Sequence, residues 1–300
     1  MKLTRIIACL LLMMMLAACA SAGEEEITVP PFADFSEKFG DLFLEEGEEI
    51  IQEELIYRSQ DIYIEITPMR RLASDIYVAD IYVRSVENFQ RAYGKNKWKS
   101  TAQKVKVISQ ANDAILGMTG DNSHNLTAGW VIGNGKVLRK SSNRKRDLCL
   151  IYRDGTMETI EAQNVDNNWL KEKAATNEIW HCFLFGPALL DAEGKAKTKF
   201  NSNVGPTNPR SVIGYYEPGH YCFVQIDGRG AKSKLEPKKK STGLKLKDLS
   251  LLMEELGCKA AYNLDGGQSS MMYFGNDLIS VPYNNGRSAG DIVIIKELQE

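Results

Sequence analysis

The sequence predicts an α+β fold: a single domain with a mixed, largely antiparallel sheet core and a few packed helices. Three observations carry that expectation. Several runs alternate apolar and polar residues with period two, the turn pairs Asn134-Gly135 and Asp154-Gly155 each sit inside a hairpin-like run, and residues 245–256 repeat apolar side chains at helical spacing.

In chain order, DIYIEI (61–66) and DIYVADIYVRS (75–85) read as strands. VENFQRAYG (86–94) reads as a helix closing on Gly94, and residues 101–118 combine a helical stretch with an apolar strand. GWVIGNGKVLRK and DLCLIYRDGTMETI are hairpins, which together argue for an antiparallel meander. EIWHCFLFGPALL, SVIGYYE, HYCFVQIDGRG and DIVIIKEL read as strands, the last three apolar enough to be central. Leu246, Leu249, Leu252, Met253 and Leu256 share one helical face, and Gly257 ends that helix. No repeat or long linker interrupts residues 55–300, so one domain is expected there.

The N-terminus speaks of export. Lys2 and Arg5 precede an apolar run, Ile6 to Leu16, too short to span a membrane as a helix. It ends in Leu16-Ala17-Ala18-Cys19, which resembles the lipobox of bacterial lipoproteins; residues 1–18 are expected to be a signal peptide and Cys19 a lipidation site. The expected location is extracytoplasmic, anchored to a bacterial membrane. Residues 24–54 carry twelve acids against one lysine, Lys38, so 19–54 is expected to be an acidic tether. From Leu55 onward 27 acids face 34 Lys and Arg. A basic body on an acidic stalk suits anionic partners such as phosphate-bearing glycans or lipid headgroups, not nucleic acid. The densest basic run holds Lys232, Lys234, Lys238, Lys239 and Lys240, a pattern that also fits a solvated loop.

Cys149, Cys182, Cys222 and Cys258 remain after processing, none in CxxC spacing, and buried free thiols are the preferred reading over two disulfides. HExxH, GxSxG, Walker and GxGxxG motifs are absent, and His124, His181 and His220 are scattered, which removes metalloprotease and serine-hydrolase readings. What stands out is a set of polar clusters at strand ends: residues 119–122, 208–210, 227–229, 263–270 and 284–287, three of them with an arginine. Turns use the same residue types, but five such clusters together suggest a pocket.

The runs NPRSVIGYYEPGHYCFVQIDGRG, GLKLKDLSLLMEELG preceded by Ser241, NLDGGQSSMM and NNGRSAGDIVII resemble successive motifs of the phosphodiester glycosidase family. The similarity extends from about residue 57 to residue 296 and is strongest from Asn208. It implies a phosphodiester glycosidase-like domain over 55–300 that hydrolyses sugar-1-phosphodiesters in cell-wall or exopolysaccharide-type glycans. A phosphate leaves readily, so such a site needs charge neutralisation more than a strong acid. Arg210, Arg229 and Arg287 suit that task because a guanidinium binds phosphate oxygens in bidentate fashion. Asp265 is the first candidate for the carboxylate beneath the sugar, with Asp227 and Asp121 as further catalytic carboxylates. Asn263, Gly266, Gly267, Ser269, Ser270 and Thr119 are expected to bind substrate, the glycines through backbone N–H groups. Thr119 departs from the family's asparagine, which favours the alternative of a non-catalytic lipoprotein that binds phosphorylated glycans through the same pocket. No cofactor is expected; a divalent metal shared by Asp121, Asp227 and Asp265 is open, though no spacing requires it. A monomer is expected.

Overall fold

A computed structural model describes residues 29–142 and 145–299. Alternation along the strands decides the architecture. In Ser74–Val83, Tyr77, Ala79, Ile81 and Val83 point to one side and Ile76 and Val78 to the other, and both sides are buried. Arg210–Glu217 and His220–Ile226 split the same way, with Ile213, Tyr221 and Phe223 on one face and Val212, Cys222 and Val224 on the other. Strands apolar on both faces belong inside a covered sheet, and these three occupy the interior of a seven-stranded one. Its order is Ile51–Gln52, Ile56–Arg58, Ile62–Arg71, Ser74–Val83, His220–Ile226, Arg210–Glu217, Ala260–Asn263.

A second, five-stranded sheet runs Met157–Ile160, Leu148–Tyr152, Ile179–Phe183, Val131–Gly133, Lys136–Arg139. The third, also five-stranded, runs Asp277–Leu278, Met272–Phe274, Leu116–Thr119, Asp291–Ile295, Phe89–Tyr93. Strands of all three sheets pair antiparallel throughout the described residues. Both hairpins fall where their turns predict: Asn134 and Gly135 take positive φ, as a two-residue turn matching strand twist requires.

The sheets share one core. Ile64, Ile81 and Phe223 of the first, Ile151 and Phe183 of the second, and Met118 and Val293 of the third meet in a single apolar cluster. Each sheet's other face is covered by a helix: Leu246–Glu255 on the first, Asn167–Ala175 on the second, Val105–Gln110 on the third. Leu246, Leu249, Leu252 and Met253 bury the predicted stripe, each contributing about 1.5–3 kcal/mol relative to exposure. The α+β architecture is therefore three antiparallel sheets around one core with short helices outside.

Two expectations change. Residues 86–94 are not a helix: Val86–Asn88 is a single 3-10 turn and Phe89–Tyr93 is a strand paired with Asp291–Ile295. Phe89 and Arg91 are buried on one face and Ala92 on the other, so no exposed alternation marks the strand, and the arginine hides it further because it is an interior residue. The described part of the acidic segment, residues 29–54, is not a free tether either. Phe35 and Phe43 are buried, Phe35 donates its N–H to Arg84 O at 2.8 Å, Arg58 Nη2 donates to Phe43 O at 2.8 Å, and Phe32 stands edge-on to Trp180. The aromatic residues among the acids dock this stretch on the body. The signal segment and Cys19 lie outside the described residues. Cys149, Cys182, Cys222 and Cys258 are buried free thiols.

Candidate functional site

Register gathers the polar clusters. Arg210 lies opposite Ile226, and Val212 lies opposite Asn263, so the start of one strand and the ends of its two neighbours reach the same edge of the first sheet. The loops beginning at Asp227 and Leu264 therefore emerge beside Arg210. The third sheet joins them there: Asp265 donates its backbone N–H to Gly120 O at 3.0 Å, and Arg287 N–H donates to Gln268 O at 2.8 Å.

The result is a pocket of about 350 Å³ lined by Arg210, Arg229, Arg287 and Asp265, with Gly266, Gly267 and Gln268 on its floor and Phe185, Asn208 and the 203–206 loop around it. Asp265 is 7% exposed. Burial pushes its carboxyl above the ordinary range, opposed by the Ser269 hydroxyl, the Arg287 cation and the Gly266 N–H, which donates to Oδ1 at 3.0 Å. Arg287 Nη2 stands 3.2 Å from Asp265 Oδ2 and donates to Ser269 Oγ at 2.7 Å. Ser269 thus bears on Asp265 both through its own hydroxyl and through Arg287.

Arg210 is only 2% exposed and has no carboxylate partner among the described residues. Its Nε donates to Leu244 O at 3.0 Å, and its Nη2 donates to Val204 O and Pro206 O, both at 2.6 Å; Nη1 makes no hydrogen bond among the described residues. Burial and the neighbouring Arg229 bring its pKa down to about 10. Arg229 is also without an acid, donating Nε to Asn208 Oδ1 at 2.9 Å. An arginine buried without a counter-charge costs folding free energy, which an anionic ligand would offset.

The two glycines fit by absence of bulk. A Cβ on Gly266 would sit 2.7 Å from Pro209 O; one on Gly267, whose φ is +66°, would reach the Arg229 guanidinium at 3.0 Å. Their N–H groups, expected to face a ligand, are instead spent on Asp265 Oδ1 and Pro209 O. Backbone proximity is their role.

Six expected site residues do not line the pocket. Thr119 Oγ1 donates to Ser269 O and accepts from Met271 N–H at 3.1 Å, so it brackets the 269–271 loop from below. Asn263 is buried, its Nδ2 donating to Gly186 O at 2.9 Å, and Ser270 Oγ lies 3.5 Å from Ser211 Oγ. Asp121 is fully buried; its carboxylate accepts from the N–H groups of Leu184 and Phe185 and lies 3.7 Å from Arg91, which pairs with Asp291 at 2.6 Å. It anchors the chain leading into Phe185 rather than meeting substrate. Asp227 accepts from Val281 N–H at 2.9 Å on one oxygen and leaves the other unpartnered in the interior. Asp121, Asp227 and Asp265 are thus engaged separately, and no group of three or more His, Cys, Asp or Glu among the described residues is placed to hold a metal ion.

Residues 106–296, more than half of the chain, match the sequence profile of phosphodiester glycosidases. The chain belongs to the phosphodiester glycosidase family. Among solved structures it resembles the catalytic domain of zebrafish N-acetylglucosamine-1-phosphodiester alpha-N-acetylglucosaminidase, auto-inhibited by its pro-peptide, with a TM-score of 0.60 and 17% identity over 79% of this chain and 83% of that one. It also resembles a hypothetical protein from Synechocystis, with a TM-score of 0.58 and 11% identity over 83% of this chain and 64% of that one. At these identities the likeness is one of fold. The SPbeta prophage-derived uncharacterized protein YomE of Bacillus subtilis (strain 168) is 31% identical over 127 residues, 41% of this chain but 18% of that longer protein. The family places the site in a glycosidase-like protein.

Sequence reasoning missed part of this pocket. Phe185 and the 203–206 loop are pocket walls without a charged signature, and Arg91 and Asp291 form a buried ion pair behind it. The signal available for the pair was a lone aspartate opening the apolar strand Asp291–Ile295 and an arginine inside Phe89–Tyr93.

Proposed function

We propose that this phosphodiester glycosidase family member is an exported, lipid-anchored hydrolase that cleaves the glycosidic bond of sugar-1-phosphodiesters in phosphorylated glycans. The observation that carries the reading is the pocket's charge pattern: three arginines around one desolvated carboxylate, with Arg210 and Arg229 unopposed. The bond type is carried over from the zebrafish enzyme's name; the extracytoplasmic location and the anchor at Cys19 rest on the N-terminal sequence.

The chemistry follows from what each group can do. When the bond from C1 to the bridging oxygen breaks, the electron pair leaves on a phosphate, and the arginines stabilise that developing charge. No acid has to protonate so good a leaving group, so one carboxylate is enough. Asp265 supplies it, either accepting the proton of the water that attacks C1 or adding to C1 itself. Both tasks need the ionised form, and burial sets its pKa above the ordinary carboxylate range. Sugar release should therefore rise with pH through that raised value and level off above it.

The rival, a binding-only protein, drew support from Thr119. Its hydroxyl is occupied with Ser269 and Met271 and does not line the pocket, so the substitution bears on loop support, not on ligand contact. The test pairs activity with stability. Asp265→Asn should keep its thermal unfolding temperature, keep affinity for a non-cleaved sugar phosphate, and lose at least ~10²-fold in sugar release from a panel of sugar-1-phosphodiesters. Wild-type protein that releases no sugar from any of them, or a folded Asp265→Asn variant that hydrolyses at wild-type rate, would end the reading.

A further inference from the structure

We propose that the hairpin formed by Ala231–Lys232 and Lys240–Ser241 is a binding track for a repeating, phosphate-bearing polymer, carrying Lys232, Lys238 and Lys240 as contacts for charges beyond the one in the pocket. The proposal rests on the reading of the pocket as a phosphodiester site and narrows its substrate to a polyanionic chain.

The first observation is charge without counter-charge. Between Arg229 and Ser241 there are five lysines and one acid, Glu236. That acid is already taken, 2.6 Å from Lys239 Nζ and 3.3 Å from Arg70 Nε. Lys234 Nζ is spent on the carbonyls of Leu278 and Ile279, both at 3.0 Å. Lys232, Lys238 and Lys240 are exposed, and their ammonium groups make no ion pair or hydrogen bond among the described residues. Lys232 and Lys240 are moreover direct cross-strand partners. Like charges directly opposite one another destabilise a strand pair, so the buried pair Ala231 and Ser241, which sets this register, does so against the repulsion of the two lysines.

The second observation is rigidity. Buried Asp75 holds the hairpin from beneath, accepting from Ser233 Oγ at 2.7 Å, Lys234 N–H at 2.8 Å and Leu235 N–H at 3.3 Å, while Arg70 closes on it at 2.6 Å. Gly230 N–H donates to Ser241 O at 2.8 Å and Arg229 N–H to Thr242 O at 3.1 Å. A solvated loop has no need of such fixing. The third is continuity: the hairpin starts two residues after Arg229, whose guanidinium lines the pocket, across a tight turn in which Ala231 N–H donates to Gly228 O at 3.1 Å, and Lys232 is three residues on. A single phosphodiester is satisfied by the pocket arginines. Further unopposed cations leading away from them suit a chain that carries further phosphates.

The experiment combines Lys232→Gln, Lys238→Gln and Lys240→Gln in the full chain. Binding of a labelled poly(glycerol phosphate) is followed across a salt series, beside hydrolysis of a small sugar-1-phosphodiester. Each phosphate contact releases condensed counterions, so the triple variant should bind the polymer at least ~10-fold more weakly at low salt and lose about 2 from its log–log salt slope. Small-substrate hydrolysis should not change. Wild-type polymer affinity and slope in the variant would overturn the proposal. So would a loss confined to phosphatidylglycerol vesicles, which would make the hairpin a membrane contact, and so would an equal loss on the small substrate. Because the polymer is read by binding, an inactive wild-type protein would refute the hydrolase reading and leave this measurement standing.

Discussion

Asp227→Asn separates a buried structural carboxyl from a catalytic one. Asp227 is 1% exposed, with Oδ2 on Val281 N–H and Oδ1 unpartnered. Burial pushes its pKa up to about 7 from the ordinary 3.8; Val281 N–H opposes the rise and Asp75 adds to it. The native protein therefore holds a proton that the unfolded chain gives up. Stability is full below about pH 4, falls as pH rises toward about 7, and is flat above. At about 1.4 kcal/mol per tenfold, the gap between 3.8 and about 7 corresponds to about 4 kcal/mol. The asparagine cannot ionise and should lose this slope. Its amide nitrogen takes the place of an already unpartnered oxygen, at a cost of about 1–3 kcal/mol, but that cost applies at every pH and cancels when two pH values are compared. Urea unfolding of both proteins at about pH 4 and about pH 8 should show the variant gaining roughly 4 kcal/mol on the wild type between them. Parallel pH profiles would refute the burial argument. A folded variant that lost sugar release would return Asp227 to the chemistry.

Arg210→Lys keeps a cation but not the fork that bonds Leu244, Val204 and Pro206 while leaving Nη1 open, so sugar release should fall by at least ~10-fold with weaker sugar-phosphate binding; full activity in Arg210→Ala would remove the phosphate assignment. Cys19→Ala should shift the protein from the membrane fraction to soluble export or leave it unprocessed, and unchanged processing and retention would remove the lipid anchor.

What was legible in the sequence was the periodic part. Asn134-Gly135 and Asp154-Gly155 announced their hairpins, and the 245–256 stripe its helix, because turn chemistry and apolar spacing act locally. Arg91 shows the limit. A strand position that buries a guanidinium against Asp291 looks like a surface position until its partner is known, and that partner is two hundred residues away. Residues 29–54 show another. Charge count suggests a tether, yet Phe32, Phe35 and Phe43 find apolar surface on the body, and their burial outweighs the solvation of the acids between them.

The same logic explains why one of three aspartates reached the pocket. A strand end needs a group to accept the N–H donors that the ladder leaves free, and a carboxylate does this as well as it does catalysis. Asp121 and Asp227 both follow strands, and both take backbone N–H groups of segments that cross behind the sheet edge, from Leu184 and Phe185 in one case and Val281 in the other. Asp265 also accepts an N–H, that of the adjacent Gly266, but this local turn leaves its other oxygen to Arg287 and the pocket. Asp227 also has an unpartnered oxygen, but it is buried in the interior, whereas the Asp265 carboxylate lies in the pocket wall beside Arg287. Among the described residues that leaves a single carboxylate beside three arginines in the pocket lining, and the proposed chemistry asks for no more, since a phosphate leaving group, unlike a sugar alkoxide, departs without a second acid to protonate it.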